Sequence, residues 1–301
     1  MFEHLNPTPI QPINSDLYSQ AGVEVFIKRD DLIDSEISGN KWRKLKYNLI
    51  EAQNQGYKNI LTFGGAFSNH IAATAAACKR FGFNSIGIIR GEELNKDSND
   101  TLRKAANDGM QLEFVSRSDY KRREDENWIN TLKEKHQAYI IPEGGSNSLA
   151  VKGMIEAVNE IDIEFDYIST PVGTGGTMAG LISGLKPNQR AIGISSLKGE
   201  SYLEDLIKEL VGDRPNWTLN HQYHFGGYAK FDSHLVEFIN EFYSQKQIPL
   251  EPIYTGKMMF ALEDLIRQDF FPKGSRIICL HTGGLQGIKG FNAKNNFSLK
   301  I

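Results

Sequence analysis

Tyr167-Ile168-Ser169-Thr170-Pro171-Val172-Gly173-Thr174-Gly175-Gly176-Thr177 runs from an apolar stretch into a glycine-rich turn, and a helical pattern follows over residues 178–185. Strand, turn and helix in that order make half of a βαβ unit, the building block of a parallel sheet. The same succession recurs along the chain. Residues 60–63 lead into Gly64-Gly65-Ala66-Phe67-Ser68-Asn69-His70 and a helix over 71–81, 138–141 lead into Pro142-Glu143-Gly144-Gly145, and 276–281 lead into Thr282-Gly283-Gly284. Further strands are expected over 85–89 and 112–115. The pattern predicts a layered α/β fold with doubly wound parallel sheets. In such sheets the loops at the carboxyl ends of the strands share one edge, so the glycine-rich turns converge on one crevice.

The 301 residues suit one large α/β unit or two modest domains, and a hydrophobic fraction of 40% supplies a core. A large domain is expected over 1–47 and 156–301, with a smaller inserted α/β domain over 48–155. Net charge is −3 with both signs interspersed, which argues against nucleic acid and anionic lipid as partners. The run Lys121-Arg122-Arg123-Glu124-Asp125-Glu126 reads as a solvated helix face. The first 20 residues lack the basic start and apolar centre of a signal peptide, and no apolar run approaches membrane-spanning length, so a cytoplasmic protein is expected. Cys78 and Cys279 lie in apolar stretches and read as buried thiols. His221 and His224 are too isolated to propose a metal, and none is expected.

The turn at 173–177 has the makings of a phosphate cradle: glycines let several N–H groups face one anion, and the dipole of the following helix adds favourable potential. A Walker A loop would place Lys and Ser or Thr after Gly176, where Thr177 and Met178 stand. A dinucleotide fingerprint would place glycine at 178 and an acid at the end of the next strand, where Ser195 and Ser196 stand. A small phosphate held by the turn itself is what remains, unless the turn is merely tight.

Ser38-Gly39-Asn40-Lys41-Trp42 starts another helix, with Asn40 as the expected cap and Trp42, Leu45, Leu49 and Ala52 as its apolar face up to Gly56. Lys41 then falls in the first turn, where the helix terminus opposes an ammonium by roughly 0.3 to 1 kcal/mol and lowers its pKa from about 10.4. An amine that neutralises easily is what a Schiff base to a carbonyl cofactor requires. Lys257 competes for that role without a comparable helix start. Ser68 reads first as a helix cap and, in a lysine–cofactor site, as a group near the reacting carbon, Glu143 as structural, and Tyr228 and Tyr254 as aromatics beside glycine-containing turns, with packing as their default role.

Taken together, Pro7-Thr8-Pro9-Ile10, Lys28-Arg29-Asp30-Asp31-Leu32, Ser38-Gly39-Asn40-Lys41, the 64–70 and 173–177 turns, Tyr254-Thr255-Gly256-Lys257 and His281-Thr282-Gly283-Gly284 resemble the family that holds 1-aminocyclopropane-1-carboxylate deaminase and D-cysteine desulfhydrase, with its tryptophan-synthase-β-like fold. The resemblance covers nearly the whole chain in order, although the loop before Ser38 lacks the glycines often found there. It implies pyridoxal phosphate as cofactor, bound to Lys41 as a Schiff base, with Asn69 at the ring oxygen and Gly173, Thr174, Gly175, Gly176 and Thr177 at the phosphate. It further implies that Ser68, Asn69, His70, Tyr228 and Tyr254 face the substrate, and that Lys41, Ser68, Tyr228 and Tyr254 serve catalysis. Thr255 and Thr282 stand where the deaminases typically carry glutamate, as partner of the pyridine nitrogen, and leucine. Both threonines resemble the desulfhydrases, so α,β-elimination from a small D-amino acid such as D-cysteine is expected. The alternatives are deamination of the cyclopropane amino acid and, in a different class, a phosphate-ligand binding protein without turnover. A homodimer is entertained as the assembly.

Overall fold

The computed structural model describes residues 6–199, 202–295 and 298–300. Its ten strands are β1 (Ile10–Ile13), β2 (Glu24–Lys28), β3 (Asn59–Gly65), β4 (Asn84–Arg90), β5 (Met110–Val115), β6 (Ala138–Ile141), β7 (Tyr167–Val172), β8 (Arg190–Ser195), β9 (Trp217–Asn220) and β10 (Arg276–Leu280). They form two sheets, of order β1-β2-β10-β7-β8-β9 and β5-β4-β3-β6. All neighbours pair in parallel except β1 with β2. Parallel strands have both faces covered by helices, so they read as continuous apolar runs; Ile277, Ile278, Cys279 and Leu280 of β10 are all fully buried.

Twelve α-helices complete the fold: α1 (Asp16–Ala21), α2 (Asn40–Asn54), α3 (Asn69–Phe81), α4 (Asp100–Asn107), α5 (Arg117–Tyr120), α6 (Glu126–His136), α7 (Ser148–Asn159), α8 (Gly176–Gly184), α9 (Leu203–Val211), α10 (Ser233–Lys246), α11 (Thr255–Arg267) and α12 (Gly287–Lys294). The four strands of the smaller sheet lie between residues 59 and 141, inside the segment expected for the small domain. The limits expected at 48 and 155 instead fall within α2 and α7, because these two helices pack together and carry the chain from one sheet to the other.

Four strands escaped the sequence pattern or showed only their ends. β1 holds Pro12, which has no N–H to give a ladder, and its place at the sheet edge is where a proline does least harm. β9 is the opposite edge. Both cysteines are buried free thiols, and burial raises their pKa. Among the described residues no helix is long and apolar enough to cross a membrane.

Candidate active site

The carboxyl ends of β3, β7 and β10 and the start of α2 surround one cleft of about 560 Å³. Lys41, Ser68, Asn69 and His70 line it, as do Gly173, Thr174, Gly175 and Thr177 of the phosphate turn and Tyr228, Tyr254 and Thr282 from the far wall. Gly176 and Thr255 lie behind that lining. Parallel topology has therefore brought turns separated by more than two hundred residues to one edge.

The helix carrying Lys41 starts differently from the sequence expectation. Gly39, with φ of 65°, is the cap of α2 and Asn40 is its first residue. A Cβ on Gly39 would stand 1.9 Å from the Thr282 carbonyl oxygen, and the Asn40 N–H donates to that oxygen at 3.3 Å. Only glycine allows both the left-handed backbone and this approach. Asn40, released from capping, donates through Nδ2 to Thr177 Oγ1 at 2.7 Å, and its Oδ1 accepts from Lys41 Nζ at 3.2 Å. The aldehyde-seeking amine is thereby tied to the phosphate turn. Burial pushes the Lys41 pKa down to about 8, so desolvation, rather than the helix terminus, is what eases its neutralisation. Lys257 is also lowered to about 8 by burial, but its Nζ donates to the carbonyls of His224 at 2.8 Å and Gly227 at 2.9 Å. It holds the loop of Tyr228 and does not line the cleft.

The cradle fits a small phosphate. No side chain caps α8, whose preceding residue Gly175 has φ of 77°, so the first amides of that helix have no intrahelical acceptor and open onto the cleft. A Cβ on Gly176 would stand 2.6 Å from Ser146 Oγ, and one on Gly173 would stand 3.1 Å from Tyr254 Cε1, so neighbouring residues leave these two turn positions no room for a side chain. Ser146 Oγ lies 2.6 Å from Thr174 Oγ1 and accepts from Lys44 Nζ at 2.9 Å. Lys44 is fully buried, with its pKa held well below the usual lysine value by burial and by the neighbouring Lys41 charge. An anion on this turn would restore its charge. The sequence pattern does not single out Lys44; its spacing of three from Lys41, which puts both on one helix face, is the signal it offers. Gly175→Val should leave a folded protein that binds pyridoxal phosphate about tenfold or more weakly, since a left-handed non-glycine residue costs about 1–2 kcal/mol and distorts the amides. Spectroscopic titration of the apoprotein checks this, and unchanged affinity would place the cradle elsewhere.

At the other end of the cleft, Ser68 is the cap of α3, its Oγ accepting from the Ile71 N–H at 3.3 Å. Asn69 Oδ1 accepts from Gln286 Nε2 at 2.7 Å. His70 is buried beneath them. The Thr62 hydroxyl donates to the Ile141 carbonyl at 2.8 Å, so the 2.8 Å contact between Thr62 Oγ1 and His70 Nε2 requires the proton on Nε2. Burial and the charges of Lys41 and Lys44 keep His70 neutral. Tyr228 and Tyr254 meet edge to face at 6.2 Å, and burial raises both phenols, Tyr254 strongly, so both keep their protons.

Thr255 begins α11 fully buried, its Oγ1 within 3.2 Å of Glu251 Oε1. Glu251, which the sequence did not single out, turns both carboxylate oxygens into the helix start and accepts from the N–H groups of Ile253, Tyr254 and Thr255 at 2.8, 2.8 and 2.6 Å. Burial raises its pKa against these bonds. Arg123 corrects the reading of the 121–126 run as solvated: it turns to the cleft and pairs with Glu143 Oε2 at 2.6 Å, while Tyr120 donates to Glu143 Oε1 at 2.7 Å. Glu143 is thus fixed in place, as a structural role requires.

Comparison with known proteins agrees with this geometry. Residues 1–283 match the profile of the pyridoxal-phosphate dependent enzymes. A bifunctional D-cysteine desulfhydrase/1-aminocyclopropane-1-carboxylate deaminase of Arabidopsis thaliana is 35% identical, over 94% of this chain and 77% of that protein. A D-cysteine desulfhydrase of Klebsiella pneumoniae is 27% identical, over 95% of this chain and 94% of that one. A solved structure described as an ACC deaminase homologue superposes with a TM-score of 0.81 at 33% identity, over 95% and 92% of the two chains. The architecture is accordingly the tryptophan-synthase-β-like one, the cofactor is pyridoxal phosphate, and the activity is that of an elimination or deamination enzyme, which sets aside a binding protein without turnover. With a desolvated lysine and a small-anion cradle facing one another in its cleft, the chain belongs to the pyridoxal-phosphate dependent enzymes.

Proposed function

We propose that the chain catalyses α,β-elimination on a small D-amino acid, D-cysteine foremost, yielding pyruvate, ammonia and sulfide. The observation that carries this reading is the pair Thr255 and Thr282: where the resemblance puts a carboxylate partner of the ring nitrogen this chain has a neutral hydroxyl, engaged by Glu251 behind the lining, and Thr282 lines the cleft. The nearby carboxylate of Glu251 is occupied by three backbone N–H groups and does not line the cleft. Pyridoxal phosphate, when bound, supplies an electron sink for the charge left on Cα. A neutral partner at its nitrogen makes a weaker sink, which suffices to expel a thiolate and serves poorly to open an unactivated cyclopropane.

The chain's own groups take definite parts. The 173–177 turn and Lys44 hold the phosphate. The start of α3 orients the substrate carboxylate through its free N–H groups. Lys41 Nζ, neutral above about pH 8, removes the α-proton. The Cβ–S bond then breaks with its electron pair on sulfur, which the protonated phenols of Tyr228 and Tyr254 receive as hydrogen-bond donors. Addition of water to the released enamine gives pyruvate and ammonia. Deamination of 1-aminocyclopropane-1-carboxylate is the second reading, favoured by the bifunctional Arabidopsis relative.

The test compares kcat/KM for D-cysteine and the cyclopropane acid in the parent and in Thr255→Glu/Thr282→Leu. The parent should prefer D-cysteine, and the double variant should move the ratio toward the cyclopropane acid by about tenfold, or about 1.4 kcal/mol. A parent that prefers the cyclopropane acid, or a ratio indifferent to both changes, overturns the assignment.

A further inference from the structure

Arg90 ends β4, directly across from Gly65 in the parallel register, and lines the cleft at the smaller sheet. The guanidinium lies beside Gly65 in the backbone that leads to Ser68; a Cβ there would stand 3.6 Å from Nη2. The guanidinium sits over the ring of Tyr120, 5.8 Å from its centre. That ring is buried, and its hydroxyl is pinned by Glu143. Glu143 makes no ion pair with Arg90 among the described residues, and pairs with Arg123 at 2.6 Å. Among the described residues Arg90 makes no ion pair and no hydrogen bond. Its charge is felt by the Tyr228 hydroxyl on the opposite wall. Arg90 is thus an exposed cation beside an aromatic face, at the lining of the cleft and without a paired anion, and the planar fork of arginine matches a carboxylate or another oxyanion.

The start of α3 already provides for the α-carboxylate, which leaves the side-chain end of the substrate for Arg90. We propose that Arg90 is a specificity residue that takes an anionic group on the β-carbon of the amino acid, so that the site favours side chains that are anions or depart as anions. This rests on reading the cleft as an amino-acid site, and it does not require that elimination be the reaction.

The experiment uses holoenzyme and two amino acids without a leaving group, D-aspartate and D-alanine, with Kd measured by titration calorimetry. The parent should bind D-aspartate about tenfold or more tightly than D-alanine, a difference of about 1.4 kcal/mol. Arg90→Gln should erase that preference while changing the D-alanine Kd less than about threefold, and Arg90→Lys, which keeps the charge without the fork, should retain part of it. A parent without preference overturns the proposal, as does an Arg90→Gln variant that weakens both ligands equally, since Arg90 would then hold the α-carboxylate or only support the wall. Binding of neither ligand overturns it together with the amino-acid reading. Should the preference hold while D-cysteine gives no pyruvate, the elimination reading fails and the role of Arg90 stands.

Discussion

Replacement of Lys41 by alanine should abolish the visible absorption of the holoenzyme and lower kcat/KM by about 10⁴-fold, the upper end of what a positioned proton-transfer group contributes. The argument rests on two features of the site: a desolvated amine with its pKa brought down to about 8, and the Asn40 side chain that ties it to Thr177 at the cradle. The pKa gives a second readout. Capture of cofactor by the apoprotein requires the neutral amine, so its rate should rise about tenfold per pH unit below 8 and level off above it, whereas an ordinary lysine would keep rising to about 10.4. Borohydride reduction and peptide mapping should find the adduct on Lys41. An adduct on Lys257 would reverse the assignment, even though that amine is bound to two carbonyls away from the cleft.

Arg43→Met should destabilise the protein by about 3–5 kcal/mol at neutral pH, measured by urea unfolding, because it removes one member of a buried charge cluster and leaves the others unanswered. Arg43 forks onto Asp30 at 2.7 and 2.9 Å and onto Glu160 at 2.7 Å through two nitrogens. Lys28 reaches the same Glu160 at 2.8 Å and Thr8 Oγ1 at 2.7 Å, and Thr8 donates to Asp30 at 2.6 Å. Two cations and two anions thus join β2, α2 and α7, and Arg43 lies two residues from Lys41 on the same helix. Burial alone would raise the Glu160 pKa, but its bonds and charge interactions with Arg43 and Lys28 outweigh that, and the net shift is downward. A carboxylate with a lowered folded pKa contributes stability that is complete above its unfolded value of about 4.5 and is lost as pH falls through the folded value. The gap between parent and Arg43→Met should therefore narrow below pH 4.5. A gap under about 1 kcal/mol, or one independent of pH, would mean that methionine packing replaces the cluster without loss.

The apolar runs of β3, β4, β6, β7 and β10 are visible in the sequence because parallel strands bury both faces and leave no polar alternation to confuse them. β1 (Ile10-Gln11-Pro12-Ile13) and β9 (Trp217-Thr218-Leu219-Asn220) carry polar residues or proline and are only partly buried, so neither presents a continuous apolar run. The same division runs through the cleft. Gly173, Gly175 and Gly176 make a candidate anion site in their own turn, while Lys41 and Lys257 both stand in the first turn of a helix and are not told apart by that position. Arg90, Arg123, Lys44 and Glu251 look like ordinary charged residues until their surroundings are known.

Asn40 shows the boundary most sharply. Its type suits a cap, and the cap is Gly39, because the Thr282 carbonyl, more than two hundred residues away, stands 1.9 Å from where a side chain on residue 39 would be. Local chemistry, namely apolar periodicity, backbone freedom and the choice of turn residues, was enough to determine the layered α/β fold and to single out the 173–177 turn and Lys41 as candidates. Burial and partnership were decided by the tertiary structure alone: which lysine is desolvated beside the cradle, which arginine keeps an unanswered charge, and which carboxylate is consumed by a helix terminus. The physical reason is that desolvation and charge pairing depend on what surrounds a group in space, and most of those neighbours come from distant parts of the chain.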